Sequence, residues 1–143
     1  MTKVNLLIVE DNPADAELLV EHLNQSRFLT ELQIVHDGQK AMDYLRGKAP
    51  FRNATSPDLV LLDLNLPRLS GHEVLAAIKS DVQLKRMPVV VLSSSQAEQD
   101  VVRSYDLQAS AYIVKPFDLA GFRELVKGLE AFWLSVVRFP PVA

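Results

Sequence analysis

Asp58-Leu59-Val60-Leu61-Leu62-Asp63-Leu64-Asn65-Leu66-Pro67 is the stretch on which the fold turns. Its residues 59–62 are apolar without alternation, as in a strand covered on both faces, and such strands belong to parallel sheets flanked by helices. Outward in both directions the theme repeats. Residues 4–9, 32–35, 89–92 and 111–114 are further short apolar runs, several of them apolar nearly throughout, each separated from the next by enough chain for a helix. Repeated strand–helix units with right-handed crossovers predict an α/β fold, an open doubly wound sheet of five parallel strands.

The intervening segments carry helix signals. Asn12 followed by Pro13 reads as an N-cap and a first helical residue, with Ala16, Leu19, Val20 and Leu23 as one apolar stripe. Ser70 with Glu73, and Ser95 with Glu98, have capping-box spacing. A weaker helix is expected between Asp37 and Arg46, followed by a loop over 47–57 crowded with Gly, Pro, Asn, Thr and Ser. Asp118 can cap a last helix whose apolar positions run from Phe122 through Leu125, Val126, Leu129, Phe132 and Trp133 to Val136. Spanning 118–137, that helix would be about 30 Å long at 1.5 Å per residue, longer than a core of this size requires.

Composition narrows the function. At 143 residues the chain has room for one domain, here divided as 1–130 and a C-terminal extension 131–143, and no room for a catalytic or DNA-binding partner domain. A domain this size folds without staples. The absence of cysteine excludes disulfides, thiolate metal sites and cysteine nucleophiles. Fifteen basic against 18 acidic residues, net −3, argue against a nucleic-acid-binding face. The N-terminus does not read as a signal peptide, and no apolar stretch approaches a membrane span, so a cytoplasmic location is expected.

In open α/β sheets ligands bind outside the carboxyl ends of the strands, so the residue after each apolar run matters most. The first run ends in Glu10 and Asp11, the third in Asp63, the fourth in Ser93 and the fifth in Lys115. Three clustered carboxylates repel and raise one another's pKa unless a cation intervenes. An oxygen-only, partly hydrated site suits Mg²⁺. With Lys115 facing Asp63, such a pocket holds a dianion beside a carboxylate, and phosphoryl transfer to Asp63 is the reaction it fits. Ser93 can donate its hydroxyl to a phosphoryl oxygen, and Ser94 is small enough to leave the approach open.

Taken singly, each residue has a plainer reading. A carboxylate after a strand is usually a helix cap or a solvated loop residue, a lone lysine is usually surface, and a serine run is usually a turn. Joint placement at four strand ends is what favours the site. Tyr112 alone reads as a partly buried strand aromatic. His22, His36 and His72 lack metal-ligand spacing and read as ordinary surface or edge histidines.

Four stretches in order, residues 6–12 (LLIVEDN), 58–67 with Gly71, 87–94 (MPVVVLSS) and 111–117 (AYIVKPF), resemble the receiver domain of two-component response regulators over nearly the whole chain. The resemblance implies a flavodoxin-like sheet in strand order 2-1-3-4-5. It implies Asp63 as phosphoacceptor, supplied by a phosphohistidine on a sensor histidine kinase. It also implies Mg²⁺ held by Asp11, Asp63 and the backbone carbonyl of Asn65, with Glu10 through water. Lys115 would pair with the acidic pocket and then with the phosphoryl group. Ser93 and Tyr112 would form a switch pair, with the fourth helix, fifth strand and fifth helix as the readout surface. A cis Lys115–Pro116 bond is expected on the same ground, against a base rate of about 5–6% for such bonds. Ser93 replaces a commoner threonine, and Gln108 sits where glycine often occurs. Asn65 and Ser95 flank the site at positions that tune phosphoryl lifetime in the family.

A narrower resemblance comes from residues 132–140 (FWLSVVRFP), the long loop after the second helix, and 104–107 (SYDL). These are similar to small regulators paired with bacterial phytochromes, which typically lack an output domain and form homodimers. The resemblance implies a phytochrome-type kinase as partner. Independently, Phe132, Trp133, Val136, Val137 and Phe139 would form an apolar patch of the kind that marks an interaction site, making them candidates for a dimer interface. The plainer alternative is that this tail folds back on its own domain.

Two other functions compete. A hydrolase using Asp63 as nucleophile needs a second carboxylic acid to protonate the leaving group, and Asn65 cannot serve. A degenerate scaffold that only dimerises requires a broken acidic pocket, and this one is intact. No Gly-rich phosphate loop with its lysine is present, which argues against a nucleotide hydrolase.

Overall fold

In the computed structural model, which describes residues 3–26 and 30–141, the apolar runs become five parallel strands. They are β1 (Val4–Val9), β2 (Thr30–Val35), β3 (Leu59–Leu62), β4 (Val89–Ser93) and β5 (Ala111–Val114). Their order across the sheet is β2-β1-β3-β4-β5. The helices between them are α1 (Pro13–Asn24), α2 (Gly38–Leu45), α3 (Gly71–Ser80) and α4 (Glu98–Asp106), and α5 (Leu119–Gly128) follows β5.

Strand register explains why the runs need no polar alternation. Leu6, Ile8, Leu59, Leu61, Val90 and Leu92 point to one face, where Leu19 and Leu23 of α1 and Phe122 and Val126 of α5 cover them. Leu7, Val9, Val60, Leu62, Val89 and Val91 point to the other, under Met42 of α2 and Val74, Leu75 and Ile78 of α3. Both faces are dry, so both parities must be apolar.

Most helix starts follow the sequence signals. Asn12 Oδ1 accepts from the amides of Ala14 and Asp15, Asp37 from that of Lys40, and Asp118 from that of Gly121. Ser70 and Glu73 make the reciprocal capping box. The second box expected, from Ser95 and Glu98, does not form. α4 starts at Glu98 with Ala97 at the N-cap and no side-chain cap. Ser95 Oγ instead donates to Asp100 Oδ2 at 2.6 Å and accepts from the Ala97 amide at 3.3 Å, so its oxygen is spent inside the turn leaving β4.

The last helix also departs from expectation. It does not run straight to 137: α5 ends at Gly128 and passes into a π-helical turn over Leu129–Trp133, closed by Leu134 N–H donating to Leu129 C=O at 2.9 Å. Residues five apart lie about 140° apart on an α-helix. The wider turn swings Leu134 back over Leu129, and both are buried in the same core. Trp133 and Phe139 pack on that core too. Pro140 and Pro141 then line a cavity of about 120 Å³ with Leu45, Pro57, Leu84 and Met87, at the amino ends of β3 and β4.

Gln108 occupies a left-handed conformation, φ 72°, at the end of α4. Its amide donates to Tyr105 C=O and that of Ala109 to Ser104 C=O, the paired bonds of a Schellman motif. Glycine is the usual residue there because it has no Cβ to clash.

Candidate phosphoacceptor site

The residues that follow the strands are held by one further rung of the parallel ladder. Glu10 N–H donates to Val35 C=O at 3.0 Å, Asp63 N–H to Val9 C=O at 3.0 Å, and Lys115 N–H to Ser93 C=O at 2.8 Å. Each backbone is thus still in sheet geometry while its side chain reaches the carboxyl edge. Gly71, at the start of α3, presses on this loop: a Cβ there would fall on the Asp63 carbonyl and Leu64 Cα.

Lys115 ties the acidic residues together. Its Nζ lies 2.6 Å from Glu10 Oε1, 2.9 Å from Asp15 Oδ2 and 3.1 Å from Asp63 Oδ2. Glu10 is 2% exposed and Asp63 6%. Two main-chain amides add to the field, Asn12 N–H to Glu10 Oε2 at 3.1 Å and Asn65 N–H to Asp63 Oδ1 at 3.3 Å. Burial, followed by a hydrogen bond with Asp63, pushes the Glu10 carboxyl from 4.5 up to about 7. Burial alone would lower the Lys115 ammonium, but the bonds to Glu10 and Asp15 and the charge of Asp63 outweigh it and raise it above the usual lysine range.

The donor set fits a hard divalent cation. Among the described residues no three carboxylate or imidazole side chains are gathered closely enough to enclose a metal alone. An ion that retains waters and takes a backbone carbonyl does not need them to be. Asp11 is exposed at the mouth of the pocket, and the buried carboxyls of Glu10 and Asp63 stand beside it at the same sheet edge.

Ser93 is fully buried at the end of β4, and its Oγ accepts from the Ser95 amide at 3.2 Å. Tyr112 is half-buried on β5 and packed against the core, its hydroxyl donating to Ser95 C=O at 2.8 Å. Ser95 therefore stands between the two members of the expected switch pair.

Comparison with known proteins agrees with this geometry. The model of the response regulator receiver domain matches residues 6–127. The chain belongs to the response regulator receiver family. Among curated receivers it is 45% identical to response regulator Rcp1 of Synechocystis over 135 residues, 94% of this chain and 92% of Rcp1. The Mn²⁺-bound crystal structure of Rcp1 superposes with a TM-score of 0.92 at 44% identity, covering 96% of this chain and 99% of that one. The phosphorylated cyanobacterial phytochrome response regulator RcpA gives 0.94 at 49% identity, covering 98% and 100%. The receiver fold in strand order 2-1-3-4-5 is thereby established, and with it a role in two-component signal transduction.

Several expectations for individual residues need correction. The Lys115–Pro116 bond of this receiver is trans, and the cis X–Pro bond among the described residues is Ala49–Pro50. Trans is the ordinary state of an X–Pro bond, favoured by roughly 0.5–1 kcal/mol. His72 is buried rather than on the surface, with Nε2 3.0 Å from Ser104 Oγ across α3 and α4. Burial, then the charge of Arg103, pushes its pKa down. His36 is exposed as expected, and its Nδ1 donates to Glu10 C=O at 3.0 Å, bracing the acidic strand end.

Asp15 was missed by sequence reasoning, which looked only at residues directly after strands. The available signal was its place in the first turn of α1, two residues beyond the Pro13 that marks the helix start.

Of the dimer candidates, Phe132 and Val136 are 53% and 68% exposed, Val137 is half-buried, and Trp133 and Phe139 are taken up by the domain's own core. Val114 of β5, Phe117 of the connection after it and Leu119 at the start of α5 are exposed large apolar residues. An open apolar cavity of about 490 Å³, lined by Val114, Pro116, Leu125, Phe132 and Trp133 among others, lies along this edge.

Proposed function

We propose that Asp63 is the phosphoacceptor of this response regulator. The observation that carries the reading is the single ammonium of Lys115 bridging Asp63, Glu10 and Asp15 at the carboxyl edge of the sheet, with the Ser93 hydroxyl buried at the neighbouring strand end. A carboxylate oxygen of Asp63 attacks the phosphorus of a phosphohistidine on the sensor kinase. The P–N bond breaks, the P–O bond forms, and the departing imidazole nitrogen recovers a proton. Lys115 then holds one phosphoryl oxygen and Ser93 donates to another. Asp11, Asp63 and the Asn65 backbone carbonyl, with Glu10 through water, would hold Mg²⁺, which when bound would neutralise charge on the dianion. The phosphoryl group is carried on the chain itself, so the protein is a phosphoacceptor with autophosphotransfer and autodephosphorylation chemistry only.

Kinship with phytochrome regulators supports a phytochrome-type histidine kinase as donor. Among the described residues no helix is long and apolar enough to cross a membrane, which is compatible with a cytoplasmic encounter. The exposure of Val114 and Phe132 along one apolar cavity, and of Phe117 and Val136, supports self-association, with extension 131–143 contributing to a homodimer.

Acetyl phosphate with Mg²⁺ is expected to label the wild type on phosphate-affinity gels and to leave Asp63→Asn unlabelled. Equal labelling of the two removes Asp63 from the role.

A further inference from the structure

Lys115 has three ammonium hydrogens, and the fold supplies a carboxylate for each. Two of those carboxylates, Glu10 and Asp63, are also groups a divalent cation in this pocket would use. Ammonium and cation therefore compete for the same oxygens. An ammonium bonded to those two alone would lose its partners as the cation arrived. That exchange would be opposed by a buried charge left short of acceptors.

Asp15 changes the balance. Its amide is held by Asn12 Oδ1 at 3.2 Å, and its side chain leaves the first turn of α1 at the rim of the pocket, half-buried, with Oδ2 2.9 Å from Lys115 Nζ. It belongs to no strand end and lies outside the oxygens assigned to the cation. Its bond to the ammonium can persist when Glu10 and Asp63 turn to the metal.

We infer that Asp15 is a positioning residue that acts through Lys115. It draws the ammonium to the α1 side of the pocket, so that Glu10 and Asp63 are yielded to the divalent cation, and it keeps that ammonium within reach of a phosphoryl group on Asp63. The inference rests on the assignment of Asp63 and on the pocket as a cation site.

The test is Mn²⁺ binding to the unphosphorylated full chain, followed by the electron paramagnetic resonance of free Mn²⁺. Wild type, Asp15→Asn, Asp15→Glu, Lys115→Met and the double variant Asp15→Asn/Lys115→Met are compared, with tryptophan emission confirming that each is folded. Asp15→Asn is expected to weaken Mn²⁺ by roughly three- to fivefold, the size of one partly exposed ion pair. Asp15→Glu, which keeps the charge, recovers most of that loss. With Lys115 already replaced, the effect of Asp15→Asn shrinks by at least about half on a logarithmic scale, which is the coupling a double-mutant cycle isolates. A loss that shrinks by less makes Asp15 a plain surface charge or a direct ligand, and overturns the inference. So does an Asp15→Asn protein that binds as tightly as wild type. If Asp63→Asn binds Mn²⁺ like wild type and still takes up phosphate, the site assignment itself fails. Labelling confined to proteins with Asp63, together with an uncoupled cycle, sinks the Asp15 role alone.

Discussion

The acidic pocket and the chain beyond Gly128 are built from equally conspicuous sequence, yet they behave differently. In the pocket Glu10, Asp63, Ser93 and Lys115 hang from strand ends, and parallel pairing leaves each of these side chains only one edge to emerge from. Beyond Gly128 the residues are as distinctive, but they belong to a helix end and a tail. Their direction depends on a π-helical turn and on where Leu134 and Phe139 find room in the core. A pattern hung from a sheet fixes direction, whereas one hung from a helix terminus fixes only composition.

The largest expected effect lies on the pocket side of this contrast. Lys115→Met leaves Glu10 and Asp63 buried without their shared cation. It should cost about 3 kcal/mol of stability at pH 8 without divalent ions, in urea unfolding, as for other buried pairs that lose one partner. The loss should shrink at pH 5. Glu10 holds its proton up to about pH 7 in the folded protein but only to about 4.5 when unfolded, so the native state binds more protons between those values. Its contribution to stability therefore falls as pH rises through that window. Lys115, shifted upward, contributes fully below its ordinary 10.5 and loses its effect only above that, so Glu10 is the group that moves between pH 5 and 8. A pH-independent deficit would mean that the pocket carboxylates are effectively solvated.

The tail offers the next test. Leu134→Ala should cost roughly 2 kcal/mol or more, because it opens a hole in the core shared by α1 and α5. Phe132→Ala and Val136→Ala should stay within about 0.5 kcal/mol of wild type in stability. Both should weaken self-association in sedimentation equilibrium. Similar stability losses at all three positions would erase the distinction between the buried and exposed sides of the tail.

The smallest effect sharpens the same point at a third helix end. Gln108→Gly relieves a left-handed residue in the Schellman turn of α4 and should raise the denaturation midpoint by the equivalent of about 0.5 kcal/mol, the unfolded-state entropy of glycine offsetting part of the gain. A decrease would mean that the glutamine side chain contributes something its exposed position does not reveal.

By itself the sequence determined the layers, the strand set and the edge at which chemistry gathers, because apolar runs alternating with helix-length segments point to a parallel sheet covered on both faces. It also named Glu10, Asp63, Ser93 and Lys115 as neighbours, since the residue after each strand shares one edge with the others. Tertiary structure alone decided that Asp15 completes the set around Lys115, because that contact joins residues 100 positions apart through the placement of α1 on the sheet. The same holds for the burial of His72 against Ser104 and for the turn that folds Leu134 and Phe139 inward. Each depends on how a helix end meets a neighbour already packed, and local periodicity carries no term for that distance.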